Sequence, residues 1–219
     1  MSTHATNADP VTQCTLRILT QEGAISSTCH SSTVDSKEPV PRWKLRKQCT
    51  PRHFKEFTPQ ASEIFPRLFL SDMYTATDPL IIEELGITHV LSVVDDPWYR
   101  YSPTIKHMAL VVDDHPTANI ESHLDACVAW IKEALNGHED AKVMVHCMWG
   151  MSRSASIVIA YAMATKGTAL GESLDYVRRK RLIVSPNPGF IVQLRRYGEK
   201  LTQRALSERS DDTGSLTTS

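Results

Sequence analysis

Apolar and polar positions divide this chain into a long polar lead and a patterned remainder. Residues 1–57 are rich in Ser, Thr and scattered Pro with little periodicity, and are read as a disordered tail that cannot bury enough surface to fold. Within that tail, 14–20 (CTLRILT) alternates like a strand but has no evident partner nearby. From Thr58 the pattern becomes that of a folded domain. Residues 64–70 (IFPRLFL) read as an edge strand, because Pro66 cannot donate to a ladder. Asp78-Pro79 reads as a helix N-cap and first turn, Gly86 as the stop, and Leu80, Ile81, Ile82 and Leu85 as the buried face between them. The β-branched run 87–94 predicts a buried strand, and 105–112 the next, joined by a loop at 95–103 that carries Trp98, Tyr99 and Tyr101.

Leu124, Val128, Ile131 and Leu135 recur at helical spacing, which predicts a helix over 120–135. Residues 142–146 then read as the central strand and 154–165 as the helix that follows it. Two further helices are expected at 173–181 and 190–206, with a polar tail at 207–219. Strands alternating with helices indicate an α/β fold over 58–206, a mostly parallel central sheet flanked by helices.

Composition narrows the functional classes. The 219 residues carry 41% hydrophobic and 22% charged side chains, enough for one ordinary domain plus tails. A formal net charge of −1 gives no reason to expect a nucleic-acid partner. The five cysteines (Cys14, Cys29, Cys49, Cys127 and Cys147) form neither a CxxC pair nor a zinc-type spacing with histidine. An odd count and an N-terminus without signal-peptide order point to free thiols in a reducing, cytoplasmic setting. The apolar run at 157–164 is too short for a membrane span. The basic cluster Arg42, Lys44, Arg46 and Lys47 reads as a solvated linker flank, with a nuclear-import or docking signal as the alternative. Oligomeric state is left open.

The chemistry concentrates in 143–163 (VMVHCMWGMSRSASIVIAYAM). A short strand delivers His146-Cys147, a loop containing Gly150 follows, and Arg153 opens a helix. An unperturbed thiol has a pKa of about 8.5, so a nucleophilic cysteine needs help to ionise. Unpaired amides and the dipole at a helix N-terminus supply that help. Met148, Trp149, Gly150, Met151 and Ser152 can turn their N–H groups inward as an anion nest, and Arg153 offers a planar fork for two phosphate oxygens. Such a site can bind a phosphate dianion and attack its phosphorus. Expelling the leaving oxygen needs a proton donor on a loop beside this one, and the Asp113-Asp114 turn after the 105–112 strand is in that place.

HCMWGMSRS, from His146 to Ser154, resembles the signature of the cysteine-dependent protein phosphatases, most closely their dual-specificity branch. The similarity runs from about Phe57 to Leu201 and takes in Asn187-Pro188-Gly189-Phe190. The resemblance implies the phosphotyrosine-phosphatase-like fold, a cysteinyl-phosphate intermediate, and neither metal nor cofactor. It casts Cys147 as nucleophile, Arg153 with the loop amides as the cradle, Ser154 as the hydroxyl that eases departure of sulfur, and His146 as the residue that orients the loop and helps keep the thiolate. The family's acid stands six residues before an aliphatic that starts the next helix; Ile120 then selects Asp114 over Asp113. Asp95 and Asp96 match no motif position and read as loop residues.

The expected substrate is a phosphoprotein, bearing phosphotyrosine or phosphoserine/phosphothreonine. The loop lacks the lysines typical of inositol-phosphate phosphatases in this superfamily, and no motif for a deep phosphotyrosine pocket is visible. The rival readings are a phospho-binding module without turnover and a phosphatase for a non-protein phosphate such as a phosphoinositide. Cys127 reads as a core residue, with a resolving thiol as the alternative.

Overall fold

The β-branched runs form the middle of a six-stranded sheet in a computed structural model that describes residues 15–18 and 60–214, with side chains over 60–208. The strands are β1 (Thr15–Ile18), β2 (Ala61–Phe65), β3 (Leu68–Ser71), β4 (His89–Val94), β5 (Lys106–Val111) and β6 (Val143–His146). Their order is β1-β5-β4-β6-β3-β2. The pairs β4/β5, β4/β6 and β3/β6 are parallel, while β1/β5 and β2/β3 close the two edges antiparallel. The expected mostly parallel α/β sheet is what forms. Of the two units into which the chain divides, one (Thr20–Pro59) lies outside the described residues, as does the basic cluster at 42–47.

Two differences from the sequence pattern have local causes. The expected edge strand at 64–70 is a hairpin: Pro66-Arg67 makes the turn, with Arg67 at φ 67°, and a register shift falls between Glu63 and Phe65. The turn is possible because Glu63 accepts from the Arg67 amide at 2.8 Å and the Arg67 guanidinium donates to the His138 and Glu139 carbonyls. Strand β3 is therefore interior, wholly buried between β2 and β6. The alternating run in the polar lead does find a partner, Val111 to Met108 of β5, remote in sequence and so invisible to local pattern.

The helices are α1 (Met73–Ala76), α2 (Pro79–Leu85), α3 (Glu121–Gly137), α4 (Arg153–Lys166), α5 (Leu170–Lys180) and α6 (Pro188–Gly214). Helix α2 starts and stops as expected, with Asp78 accepting from the Leu80 amide and Gly86 in the left-handed region. Its expected buried face is only partly covered: Ile82 and Leu85 are half-buried and Leu80 is 75% exposed. Helix α6 continues through Gly214. Leu91, Val93, Met108, Leu110, Val143 and Val145 pack with α3, α4, α5 and α6 into the main core. On the other face Phe69, Val90 and Met144 form a small cluster with Ala76 of α1 and Ile82 of α2. Helix α4 is buried continuously from Arg153 to Met163, so its N-terminus is fixed over the C-terminal edge of the sheet.

Candidate active site

Strand β6 ends at His146, and the loop Cys147–Ser152 turns straight into α4. Gly150 has φ 67°, and a Cβ there would lie 2.5 Å from the Ser71 carbonyl oxygen, so the tight loop requires glycine on both counts. Arg181, fully buried, holds the loop from outside. Its guanidinium donates to the Gly150 carbonyl at 3.1 Å, the Trp149 carbonyl at 3.1 Å and the Gln60 carbonyl at 3.0 Å, and lies 3.9 Å from the buried Asp72 carboxylate. With the Trp149 and Gly150 carbonyls drawn outward, the amides of the same two residues face the thiol.

Cys147 Sγ accepts from the Gly150 amide at 3.3 Å and from the Ser154 hydroxyl at 3.1 Å. Burial alone would push this thiol up. The Arg153 charge, the Ser154 hydroxyl, and the Ser154 and Trp149 amides outweigh burial and hold it below the ordinary cysteine value. Arg153 is itself buried: Nη1 donates to the Val112 carbonyl at 3.3 Å and meets Asp95 Oδ1 at 3.4 Å, while Nε is unpartnered and lies 4.0 Å from Asp114 Oδ2. Asp95, which the sequence pattern leaves as a loop residue, is thus brought onto the guanidinium by the end of β4.

Asp114 lines a cleft of about 330 Å³ with Cys147, Met148, Trp149, Met151, Ser152, Arg153, Ser185 and Asn187. Asp113 is exposed and does not line it. Asp114 Oδ1 accepts from the Ser152 hydroxyl at 2.6 Å and from the Asn187 side-chain amide at 2.8 Å. Ser152 stands at the N-cap of α4 without capping it, because its hydroxyl goes to Asp114 instead. The Asp114 loop is tied to α6 as well: Gln193 Oε1 accepts from the Ile120 and Glu121 amides and Gln193 Nε2 donates to the Ala118 carbonyl.

His146 does not touch sulfur. Its Nδ1 lies 3.3 Å from the Cys147 carbonyl oxygen, while Nε2 meets the Ser92 hydroxyl at 2.7 Å and the Tyr101 hydroxyl at 3.0 Å. Burial pushes the imidazole down to about 4. Met148, Trp149 and Met151 are half-buried, and Trp149 pairs with the Tyr74 ring at 6.1 Å. Cys127 lies in the main core, where burial raises its thiol to about 12. The core reading therefore holds for it.

All of the residues singled out in 146–154 and Asp114 converge here. Sequence reasoning missed Asp95, Asn187, Arg181, Ser92 and Tyr101 as members of the site. Asn187 had a signal, since it sits in the quoted Asn-Pro-Gly-Phe segment. Arg181 had no signal of its own, since it follows three other basic residues, Arg178-Arg179-Lys180.

The family is shown by comparison as well as by geometry. The chain belongs to the dual specificity phosphatase family, whose catalytic domain matches residues 68–200. Over 141 residues it is 35% identical to MAP kinase phosphatase with leucine-rich repeats protein 3 of Dictyostelium discoideum, a match covering 64% of this chain but only 16% of that relative. The crystal structure of human DUSP28 superposes with a TM-score of 0.62 at 27% identity, over 67% of this chain and 97% of that one. Human tyrosine phosphatase-like serine/threonine/tyrosine-interacting protein superposes with a TM-score of 0.59 at 30% identity, over 63% and 94%. Among the described residues no helix is long and apolar enough to cross a membrane.

Proposed function

We propose that this chain is a phosphatase that hydrolyses phosphotyrosine and phosphoserine/phosphothreonine in proteins through a cysteinyl-phosphate intermediate. The observation that carries the reading is the pair of hydrogen bonds onto Cys147 Sγ from the Gly150 amide and the Ser154 hydroxyl, at the base of a cleft shared with Arg153 and Asp114. In the first step the Sγ lone pair forms a bond to phosphorus while the bond to the substrate oxygen breaks, and Asp114 gives that oxygen its proton. Arg153 and the inward amides of residues 148–152 hold the equatorial oxygens as charge spreads onto them. In the second step the Asp114 carboxylate takes a proton from water, whose oxygen bonds to phosphorus. Sulfur leaves as thiolate, stabilised by the Ser154 hydroxyl.

Hydrolysis of phosphopeptides and of a small aryl phosphate tests the proposal. Cys147→Ser should remove turnover on both, by on the order of 10⁴-fold. Asp114→Ala should impair phosphopeptides far more than an activated aryl phosphate, whose leaving group needs no proton. Activity that survives Cys147→Ser would sink the covalent mechanism. The likeness to a protein named as phosphatase-like and interacting supports a second reading, phosphopeptide binding without turnover. Tight phosphopeptide binding by the unaltered chain, with no phosphate released, would establish it instead.

A further inference from the structure

Behind the phosphate loop, outside the groups that would meet substrate, two histidines share one serine hydroxyl. His107 Nε2 lies 2.8 Å from Ser92 Oγ, and His146 Nε2 lies 2.7 Å from the same oxygen. The sheet brings them together: Ser92 of β4 stands opposite His146 of β6, and His107 of β5 stands opposite Val90, one pleat away on the same face.

Hydrogen-bond chemistry restricts where the protons on this chain can sit. A carbonyl only accepts, so the Nδ1 of His146 beside the Cys147 carbonyl carries a hydrogen. While His146 is neutral its Nε2 only accepts, and the Ser92 and Tyr101 hydroxyls are the two donors within reach of it. Ser92 has one hydrogen; when it goes to His146, the contact with His107 is received, from a hydrogen on His107 Nε2, and the Tyr101 hydroxyl also hydrogen-bonds Ser92. Burial pushes both imidazoles down to about 4, in keeping with two neutral rings. Among the described residues, Asp96 lines the same small cavity as the two histidines. Arg100 acts on His107 and Arg153 on His146; the Tyr101 ring packs on His107 at 4.6 Å, backed by Tyr99 at 4.8 Å. The Tyr101 hydroxyl is a second donor within reach of His146.

We propose that His107 is a positioning residue for Cys147: through Ser92 it locks His146 in the Nδ1–H form that anchors the Cys147 carbonyl and keeps the loop amides turned toward the nucleophile. The inference rests on the phosphatase reading of the site. It makes the hydrogen-bond chain one-directional, from His107 to Ser92 to His146 to the Cys147 carbonyl. Without the His107 donor, Ser92 can turn its hydrogen away, and the carbonyl anchor loosens.

The test uses the full chain, an aryl phosphate, and nitrogen NMR of the histidine rings. At neutral pH the unaltered protein should show opposite tautomers, Nδ1–H for His146 and Nε2–H for His107. His107→Leu should lower kcat about tenfold while KM stays within about twofold, since geometry rather than binding is disturbed. The acid limb of its kcat/KM profile and the pH dependence of Cys147 alkylation should both move to higher pH. His107→Gln keeps an N–H donor and should recover most of the loss. Equal impairment in the Leu and Gln variants, no impairment in either, or an Nε2-unprotonated His107 would overturn the proposal. Should the Leu variant fail to fold, the tautomers of the unaltered protein decide. An unaltered chain without phosphatase activity would instead defeat the reading of the site, leaving the tautomer measurement to judge the relay on its own.

Discussion

On one face of the sheet Leu91, Val93, Val143 and Val145 enter the main core beneath α3, α4, α5 and α6. One residue out of step along the same strands, Val90, Ser92, Met144 and His146 look the other way, toward the small cluster that includes α1 and α2 and toward Tyr101. The first face is nearly all hydrocarbon. The second begins apolar and becomes a hydrogen-bonded chain of Ser92, His107, His146 and Tyr101 as it nears the phosphate loop. A two-residue period lets one strand pack into the core on one side and carry, on the other, the hydrogen-bonded chain proposed to align the loop. Cys147 takes up the alternation after His146 and falls on the core side, below the N-terminus of α4.

That division can be broken by substitution. The largest effect is expected where polar and buried meet. Arg181→Met leaves Asp72 charged and buried and orphans the Gly150 and Trp149 carbonyls, so stability should fall by about 3–5 kcal/mol in urea melts, with turnover lost even in the folded fraction. Adding Asp72→Asn should recover part of the stability and none of the turnover. Leu91→Ala, on the hydrocarbon side, should cost about 3 kcal/mol by the same melts yet leave kcat of the folded protein near normal. A large drop in kcat from Leu91→Ala would erase the contrast between the faces.

The pH dependence sharpens it. His107 and His146 are held at about 4, against an ordinary 6.5. Between those values the unfolded chain binds more protons than the folded one, so stability is full above pH 6.5 and falls as pH drops toward 4. His89 and His123 are lowered by burial and act in the same sense, so variants must be compared. His107→Gln should flatten the urea midpoint against pH across that window, and an unchanged slope would contradict the neutral pair. Smallest of all is Leu80→Ser on the exposed side of α2, expected to move stability by less than about 0.5 kcal/mol.

Much of this was legible in advance, unevenly. The capped start and glycine stop of α2, the periodicity of α3 and the strand–loop–helix of β6 and α4 are local patterns, and they stand. The hairpin at Pro66-Arg67 escaped because seven residues of mixed apolar character fit one strand as well as two. The partner of β1 escaped because pairing across the sheet leaves no mark in either segment alone. Arg181 reads as one more cation in a basic run. Only packing makes it the brace of the loop.

The sequence by itself determined which residues make up the loop proposed to supply the nucleophile, the cradle and the leaving-group hydroxyl. Cys147 to Ser154 is one contiguous stretch, and a strand feeding a glycine turn into a helix N-terminus leaves its backbone little choice. Tertiary structure alone decided what surrounds that stretch: Asp95 on Arg153, Asn187 and Ser152 on Asp114, and the His107–Ser92–His146 chain behind Cys147. Those contacts join residues far apart in the chain, and they depend on strand order and on which side chains share a face, quantities no short window of sequence contains.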